Sequence, residues 1–370
     1  MRTSSHLGCA GQRGLSLIEI MVGVAIGLVG VVAIFQTVAL WTQHSQTTTS
    51  GGDAQIAGTL AIYNLETDLR HGGLGFATAP PTVMGCNVTA TDARGAFAFR
   101  LRPIQINVGA GGGPDTIDVL HGNSSFFVTE QTFSASTANS KALRRRNGFR
   151  AGDLAVVAGN ATAVPGSADC RLIEITNVSA PDGVTVAHAT GAYTSAYAAS
   201  GAASATARFN TPGSVTFTGG TIYNLGPQPV RNTWSIRDSR ALIRTELIAD
   251  AGGAEVADGV VNLKAEYGID NTATPDGVVD VWQAAAPADW TRVMAVRIAV
   301  LVRSRQFEYR AGTNAPTPTA PTWAGGTFLM KDVDGGSGAA ADSPNNWRNY
   351  RYRVYERIVP LRNMLWGGLS

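Results

Sequence analysis

Residues 14–35 read GLSLIEIMVGVAIGLVGVVAIF, and this stretch decides how the chain begins to fold. Between Leu15 and Phe35 only Ser16 and Glu19 are polar. At about 1.5 Å per residue such a helix is roughly 31 Å long, enough to cross the hydrocarbon layer of a bilayer. A carboxylate in that setting costs roughly a few kcal/mol to insert. We therefore predict a membrane-spanning helix in which Glu19 is a functional residue.

The residues before this helix are short and polar. Residues 1–14 carry Arg2 and Arg13 and end in Gly14. An ordinary secretory signal peptide has an apolar core of about 7–15 residues and a small-x-small cleavage site soon after it. The apolar run here is longer, and no such site follows closely. A plain membrane anchor is a second alternative, but it leaves Glu19 without a role.

The sequence G-L-S-L-I-E resembles the type IV prepilin signature, usually written G-F-x-L-I-E. Leu15 replaces the usual Phe, which is an apolar and conservative exchange. The resemblance implies that a prepilin peptidase cuts after Gly14 and then N-methylates Leu15. It also implies that Glu19 pairs with the N-terminal amine of a neighbouring subunit. Each of those charges is costly in lipid, and pairing neutralises both.

A second helical pattern follows the first. Apolar side chains recur at helical spacing at Ile56, Leu60, Tyr63, Leu65 and Leu69. Gly72 and Gly73 end the pattern. The resemblance to pilins implies one long helix whose rear part packs on a β-sheet, with the Ser-Gly-Gly of residues 50–52 as a weak point.

Beyond residue 75 short apolar runs are separated by turn residues. The predicted strands are Thr116–His121, Phe126–Phe133, Asp153–Ala158, Arg171–Val178, Val184–His188, Thr233–Arg237, Ala241–Leu247, Val260–Ile269, Arg292–Arg303 and Tyr350–Val359. Several alternate apolar and polar residues, as half-buried antiparallel strands do. The predicted fold class is α+β, with a long N-terminal α-helix of the type IV pilin-like kind packed on an antiparallel β-sheet head that carries long loop insertions.

Low-complexity stretches interrupt the strands. Residues 189–206, which include Tyr193 and Tyr197, are rich in Ala, Ser and Thr, and two later stretches cover residues 311–326 and 334–346. We interpret all three as surface insertions. The predicted segments are a leader peptide (1–14), a transmembrane and assembly helix (15–40), a periplasmic continuation of the helix (41–73) and a periplasmic β-rich head (74–370).

The C-terminal half narrows the resemblance. Residues 256–270 read VADGVVNLKAEYGID, residues 292–304 read RVMAVRIAVLVRS, and residues 350–363 read YRYRVYERIVPLRN. This order resembles the PilW-type minor pilins of type IV pili, and LETDLRHGG at residues 65–73 fits the same family. The J-type minor pseudopilin of type II secretion is the competing resemblance.

Charge and cysteine content restrict the class of protein further. The formal net charge is +2, and both excess positive charges lie in residues 1–14, so the processed chain is neutral. A neutral chain argues against nucleic acid as a partner. Cys9 leaves with the leader, and Cys86 and Cys170 remain. We predict a disulfide between them in an oxidising compartment, with two buried free thiols as the alternative.

An acidic, glycine-containing turn is the one candidate metal site. Asp270, Asp276 and Asp280 cluster there, and calcium binds several oxygen ligands in a flexible loop. The spacing does not fit an EF-hand, and an ordinary solvated β-turn is the alternative interpretation. The acidic loop at residues 331–336 is predicted to be a turn.

The chain carries little that suggests catalysis. No H-E-x-x-H, G-x-S-x-G or P-loop pattern is present. Near the C-terminus Arg and Tyr alternate at strand period, which indicates a sheet face with cross-strand acidic partners. We therefore predict that the chain is not an enzyme and has no cofactor apart from the candidate calcium.

Together these patterns predict a minor pilin that primes a type IV pilus with other minor pilins and stays at its tip. Its expected partners are other minor pilins, the major pilin, the prepilin peptidase, the inner-membrane assembly platform and the lipid bilayer. The expected location is the inner membrane, single-pass with a periplasmic head, and then the pilus. The alternatives are a J-type pseudopilin and a tip-exposed adhesion module that uses residues 189–206.

Overall fold

The structure is a computed structural model. It describes residues 16–125, 130–145, 148–179, 184–198, 204–210, 216–238, 240–248, 251–309 and 311–367. The chain divides into two compact units, residues 1–52 and residues 53–370. The boundary falls beside the Ser-Gly-Gly at residues 50–52, and each unit is described by itself.

A single long helix, α1, runs from Leu17 to His71. In the first unit its segment Leu17–Ala39 has a mean hydropathy of 2.6 and no buried residue, and it is long and apolar enough to cross a membrane. The helix ends where Gly72 follows, and Gly73 adopts a positive φ of 84°. Glycine accepts that conformation without the steric cost of a Cβ, so the helix ends where the sequence predicts.

The second unit contains many short strands. In chain order they are β1 Asn87–Asp92, β2 Gly95–Arg100, β3 Ile104–Asn107, β4 Thr116–His121, β5 Gln131–Ser136, β6 Ser140–Leu143, β7 Leu154–Gly159, β8 Asp169–Glu174, β9 Asn177–Val178, β10 Thr185–Ala187 and β11 Ala192–Thr194. They continue with β12 Ser204–Thr206, β13 Gly220–Gly226, β14 Val230–Arg237, β15 Ala241–Glu246, β16 Ala251–Asp258, β17 Val260–Ile269, β18 Val281–Gln283, β19 Val293–Arg303, β20 Thr322–Trp323, β21 Gly326–Thr327 and β22 Tyr352–Pro360. A short helix, α2, closes the described chain at Arg362–Gly367.

These strands form three larger sheets and two hairpins. The nine-stranded sheet has the order β2-β1-β8-β7-β13-β5-β6-β10-β9, the five-stranded sheet β16-β15-β14-β4-β3, and the four-stranded sheet β18-β17-β19-β22. The hairpins are β11-β12 and β20-β21. The pairing of β1 with β8 is parallel, which the sequence pattern did not predict, whereas the long ladders of β17 with β19 and β19 with β22 are antiparallel as predicted.

Strand prediction succeeded best where alternation is long. The ranges Thr116–His121 and Val260–Ile269 have the predicted bounds. The range Arg171–Val178 was predicted as one strand but divides into β8 and β9. The predicted Phe126–Phe133 is shifted, because the strand there is β5, and residues 126–129 lie outside the described part of the chain.

The two faces of β19 bury two different apolar clusters. Its valines and Ile298 enter the main core, while Ala299 and Leu301 pack with Phe328 on the opposite face. Alternate residues of this strand therefore pack into different clusters. Phe328 follows the β20-β21 hairpin, so the insertion predicted at residues 311–326 leads into a segment that covers the outer face of the four-stranded sheet.

The second-unit part of α1 buries a narrow stripe in the main core. Ala61, Leu65 and Leu69 are fully buried there. The apolar residues Ile56 and Tyr63 recur at helical spacing, but their side chains are 69% and 66% exposed. Helical periodicity therefore identifies two apolar stripes on this part of the helix, and only the stripe of Ala61, Leu65 and Leu69 is buried in the core.

The contact between α1 and β22 requires a glycine at position 58. A Cβ added at Gly58 would overlap the ring of Tyr355. We expect Gly58→Ala to lower the free energy of unfolding by about 1–3 kcal/mol, because overpacking outweighs the gain in helix propensity. Denaturant unfolding of the full chain in detergent micelles measures the change.

The matched control is Gly51→Ala in the same helix, where an added Cβ meets nothing within 4 Å. That variant should be neutral or more stable by up to about 1 kcal/mol. Equal effects of the two substitutions would contradict the packing argument.

Candidate functional site

The start of α1 is organised by a serine. The predicted processing positions Gly14 and Leu15 lie outside the described residues. The backbone N–H of Glu19 donates to the Ser16 side-chain oxygen at 3.3 Å and to the Ser16 carbonyl at 3.0 Å. Ser followed three residues later by Glu is the capping-box pattern. The spacing of Ser16 and Glu19 carries this signal in the sequence, beside the charge of Glu19 from which the functional role was predicted.

The first helical segment presents an apolar surface on all sides. In the first unit the side chains from Leu17 to Ala39 are exposed, and an added Cβ at Gly23, Gly27 or Gly30 would meet nothing within 4 Å. Packing among the described residues of this unit therefore does not explain the glycines. A helix that is apolar all round is suited to lipid or to other helices, and small residues let a second helix approach closely.

At the other end of α1 a buried carboxylate joins the helix to the five-stranded sheet. Asp68 accepts hydrogen bonds from the side-chain amide of Asn232 at 3.0 Å and from the indole N–H of Trp234 at 2.6 Å. The His121 Nε2 atom lies 3.5 Å from the same carboxylate. Because Asn232 and Trp234 lie on β14 and His121 ends β4, one helical side chain holds two strands of the sheet.

Two arginines of β22, Arg353 and Arg357, also face the helix. Arg353 donates to the Gln55 side chain at 3.0 Å, and Arg357 donates to Glu66 at 3.1 Å. Acidic partners were predicted across the sheet, on neighbouring strands. The acidic partner of Arg357 is instead supplied by α1, which contacts this edge strand of the four-stranded sheet.

The cysteines predicted to pair are joined in the structure. Cys86 and Cys170 form a disulfide with a Cα–Cα distance of 6.1 Å across a sequence separation of 84 residues. Cys86 directly precedes β1, and Cys170 lies in β8. The disulfide therefore lies beside the parallel pairing of β1 with β8 and links these two strands covalently, although they are distant in sequence.

Two buried acids hold the insertion predicted as a surface loop. The hydroxyl of Tyr193 donates to Glu174 at 2.6 Å, and the hydroxyl of Tyr197 donates to Asp153 at 2.6 Å. Burial, together with these hydrogen bonds, raises the pKa of both tyrosines. The described parts of residues 189–206 form the β11-β12 hairpin and are fastened to the head, so this segment is more ordered than its composition predicts.

The acidic turn uses its carboxylates to bind backbone N–H groups. Asp270 is fully buried and accepts from the backbones of Thr272, Asp276 and Gly277. The hydroxyl of Thr272, with these backbone bonds, lowers the pKa of Asp270. Asp280 accepts from the backbone N–H of Asn271 at 2.7 Å.

This geometry favours the turn interpretation of residues 270–280 over the calcium interpretation. Asp276 likewise accepts from the Val278 backbone at 2.9 Å, so its carboxylate also serves the turn. Within the described residues, no three His, Cys, Asp or Glu side chains are grouped closely enough to hold a metal ion. Calcium binding at Asp270, Asp276 and Asp280 stays a prediction without a supporting cluster.

A buried lysine and histidine lie in contact in the nine-stranded sheet. The Lys141 ammonium is 2.9 Å from His188 Nε2 and donates to the carbonyls of Thr137 and Ser140. Burial lowers the pKa of Lys141 to about 8. Burial and the nearby lysine lower the pKa of His188 to about 4.

This pair makes stability depend on pH in a defined direction. Between pH 6.5 and about pH 4, His188 is protonated in the unfolded chain but neutral in the folded chain. The free energy of unfolding therefore falls as the pH falls through this range. The loss is complete below about pH 4 and amounts to roughly 3 kcal/mol. We expect His188→Gln to remove this component, which denaturant unfolding at pH 4.5 and pH 7 measures.

The matched control is His71→Gln, at an exposed histidine that ends α1. Its stability should keep the wild-type pH dependence. Carboxylates titrate in the same range in all three proteins, so only the difference between variants is diagnostic. An identical pH profile for wild type and His188→Gln would contradict the assignment.

Comparison with known proteins gives two family matches. Residues 230–363 match the family described as Type IV Pilus-assembly protein W, and residues 9–35 match the Prokaryotic N-terminal methylation motif. A comparison with curated proteins gave no match. A solved type IV-like pilin from Thermus thermophilus is similar at 17% identity with a TM-score of 0.23. That match covers 37% of this chain and 66% of the pilin, slightly under two thirds of its length.

The methylation motif, the long apolar helix and the antiparallel sheets define the class as type IV pilin-like. Within that class the PilW-type match covers the C-terminal third of the chain, from β14 to β22 and the start of α2. These family matches point to a structural pilin and away from an enzyme.

Proposed function

We propose that this chain is a minor pilin that primes assembly of a type IV pilus together with other minor pilins and remains at or near the tip. In this proposal prepilin peptidase cuts after Gly14, and Leu15 becomes the methylated N-terminus. The observation that carries the proposal is Glu19, a carboxylate in the first turn of an otherwise apolar and fully exposed helical segment.

The charge of Glu19 gives assembly its register. A carboxylate and a free amine each resist insertion into an apolar environment, and they neutralise one another only when two subunits are correctly aligned. The motif match over residues 9–35 supports processing that would create such an amine. A processed chain would wait in the inner membrane, held by Leu17–Ala39 with its head in the periplasm.

The exposed stripe on the second-unit part of α1 supports the same role. Ile56, Leu60 and Tyr63 are apolar and exposed, on a helix whose opposite stripe is buried in the head. Exposed apolar residues at helical spacing suit contact with another helix. We assign this stripe to contacts with neighbouring pilin subunits in the fibre.

Glu19→Ala tests the proposal. We expect normal processing, with Leu15 as the N-terminal residue by mass spectrometry, and at least about tenfold less of the variant in purified pili, since each 1.4 kcal/mol of lost pairing is a factor of ten. The measurement is the amount of this chain per pilus in sheared fibres, with the number of pili per cell counted by electron microscopy.

Ser16→Ala is the matched control, because it weakens the helix cap and keeps the carboxylate. Near wild-type incorporation of this variant, with loss for Glu19→Ala, supports charge pairing. If both variants lose incorporation equally, the role of Glu19 is helix capping and the pairing argument fails. Wild-type incorporation of Glu19→Ala would also overturn it.

A deletion strain separates the pilus from the pseudopilus alternative. Loss of surface pili with normal protein export supports the proposal. Loss of export with normal pili would instead assign the chain to a type II secretion system, where the same helix would assemble into a pseudopilus.

A further inference from the structure

The edges of the three larger sheets differ in how well their backbone groups are protected. Native edge strands are usually short, charged, bulged or covered, because an open edge pairs with other chains. Among the six edge strands, β9 and β18 have only two and three residues. In β3 the backbone N–H of Ile106 donates to the hydroxyl of Tyr267. Strand β16 has two register shifts against β15 and carries two acids, and β22 carries three charged residues.

The sixth edge strand, β2, is the most open of them in the described part of the chain. It pairs with β1 over six consecutive residues without a register shift, and its sequence GAFAFR has no proline and no charge before Arg100. Because the Leu101 N–H donates to the Cys86 carbonyl, antiparallel alternation directs the N–H and C=O groups of Ala96 and Ala98 to the open side. No described residue forms a hydrogen bond with these groups.

One face of β2 is apolar and partly open. Phe97 and Phe99 lie on this face, with 6.4 Å between their ring centres. Phe99 is buried in the main core, whereas Phe97 is only half-buried beside Phe209. An apolar side chain on an added strand would cover the Phe97 ring, as cross-strand neighbours do within a sheet.

The opposite face of β2 is exposed and positively charged at one end. Ala96, Ala98 and Arg100 lie there. The neighbour of Arg100 on β1 is the uncharged Asn87, and its guanidinium donates to the carbonyl of Gly85 at 3.4 Å. Among the residues that the structure describes, Arg100 has no acidic partner. A carboxylate on an added strand directly opposite Arg100 would form a favourable cross-strand pair.

We propose that β2 accepts an added strand from a partner protein, an extended segment that has apolar side chains toward Phe97 and a carboxylate opposite Arg100. Backbone hydrogen bonds at Ala96 and Ala98 provide the affinity, and the side chains on the two faces provide the selectivity. The open edge, the half-buried ring and the unpaired cation lie within six consecutive residues, so one strand satisfies all three. The site lies in the head and does not depend on the proposed role of Glu19.

Two peptides and amide hydrogen exchange test the proposal. The Glu peptide is acetyl-Thr-Val-Thr-Val-Glu-Val-Thr-amide, and the Lys peptide has Lys in place of Glu. In the full chain in detergent micelles the amides of Ala96 and Ala98 should exchange rapidly, and saturation with the Glu peptide should slow them at least about tenfold. Titration followed by NMR should show the Glu peptide binding at least about threefold more tightly than the Lys peptide, because a like charge opposite Arg100 opposes pairing.

Two substitutions at one position separate backbone pairing from side-chain contact. Ala98→Pro removes an N–H that β1 does not use, so the chain should fold while its affinity for the Glu peptide falls at least about tenfold. Ala98→Val is the matched control, because it keeps the N–H and suits a strand, and it should bind as wild type does. A Glu peptide methylated on its inner amide nitrogens should bind wild type at least about tenfold more weakly, a comparison that holds even if Ala98→Pro does not fold.

A charge variant tests the selectivity. Arg100→Gln should remove the preference for the Glu peptide over the Lys peptide. Arg144→Gln removes an exposed charge outside β2 and should keep that preference.

Slow exchange of the Ala96 and Ala98 amides in the chain alone would show that the edge is already covered and would overturn the proposal. Equal binding of the two peptides, or binding of neither, would overturn it as well. A dimer of the wild-type chain that Ala98→Pro converts to a monomer would overturn the assignment to a partner protein and give the edge to a second copy.

Discussion

Asp68→Leu should lower the free energy of unfolding by about 3–5 kcal/mol, because it removes a buried charge from its donors. The leucine would leave the Asn232 amide and the Trp234 indole N–H without their acceptor in the interior. The two strands that Asp68 holds would lose their polar link to α1. Denaturant unfolding of the full chain in detergent micelles, monitored by tryptophan fluorescence, measures the loss.

Asp53→Leu in the same helix is the matched control, since Asp53 is exposed. We expect its effect to stay within about 0.5 kcal/mol. Asp68→Asn is informative as well, because it keeps one acceptor oxygen and should cost less than the leucine. A change below about 1 kcal/mol for Asp68→Leu would mean that the carboxylate is not needed to hold the helix on the sheet.

Reduction of the Cys86–Cys170 disulfide should produce the second large effect. The bond spans 84 residues, and closing a loop of that length in the unfolded chain is worth about 4–5 kcal/mol in the chain-entropy model. Comparing oxidised and reduced wild type changes no side-chain volume, so the shift in unfolding midpoint reports the cross-link itself. The reduced chain should unfold at a clearly lower denaturant concentration.

The double variant Cys86→Ala with Cys170→Ala checks this result without a reductant. It should resemble the reduced chain, with a further small loss because both positions are buried in the main core. Equal midpoints for oxidised and reduced wild type would show that the loop is already closed by other contacts in the unfolded state.

Local pattern was sufficient for the elements that carry one strong period. The apolar run that begins at Leu15 and the alternation in Val260–Ile269 were both recognised, because a helix or a strand with a buried face imposes its period on the side chains. The pattern failed where strands are short. The range Arg171–Val178 contains a break between β8 and β9, and no turn-forming residue such as Gly or Pro marks this break in the sequence.

The polar anchors could not have been predicted. Asp68 lies 164 residues from Asn232 in sequence, and Glu174 meets a tyrosine in an insertion that looked like a simple surface loop. A buried acid is recognisable only when its donors are known, since in sequence it resembles any surface acid.

The sequence by itself determined three features of this protein: the N-terminal methylation motif at residues 9–35, a helix apolar enough to span a membrane, and the PilW-type match at residues 230–363. These features depend on composition and on the spacing of apolar residues within about twenty positions, and both are properties of the local sequence. Tertiary structure alone decided which stripe of α1 enters the core. It also decided which acids become buried anchors. The reason is that burial and hydrogen bonding depend on residues brought together from distant parts of the chain, and a local pattern contains no record of them.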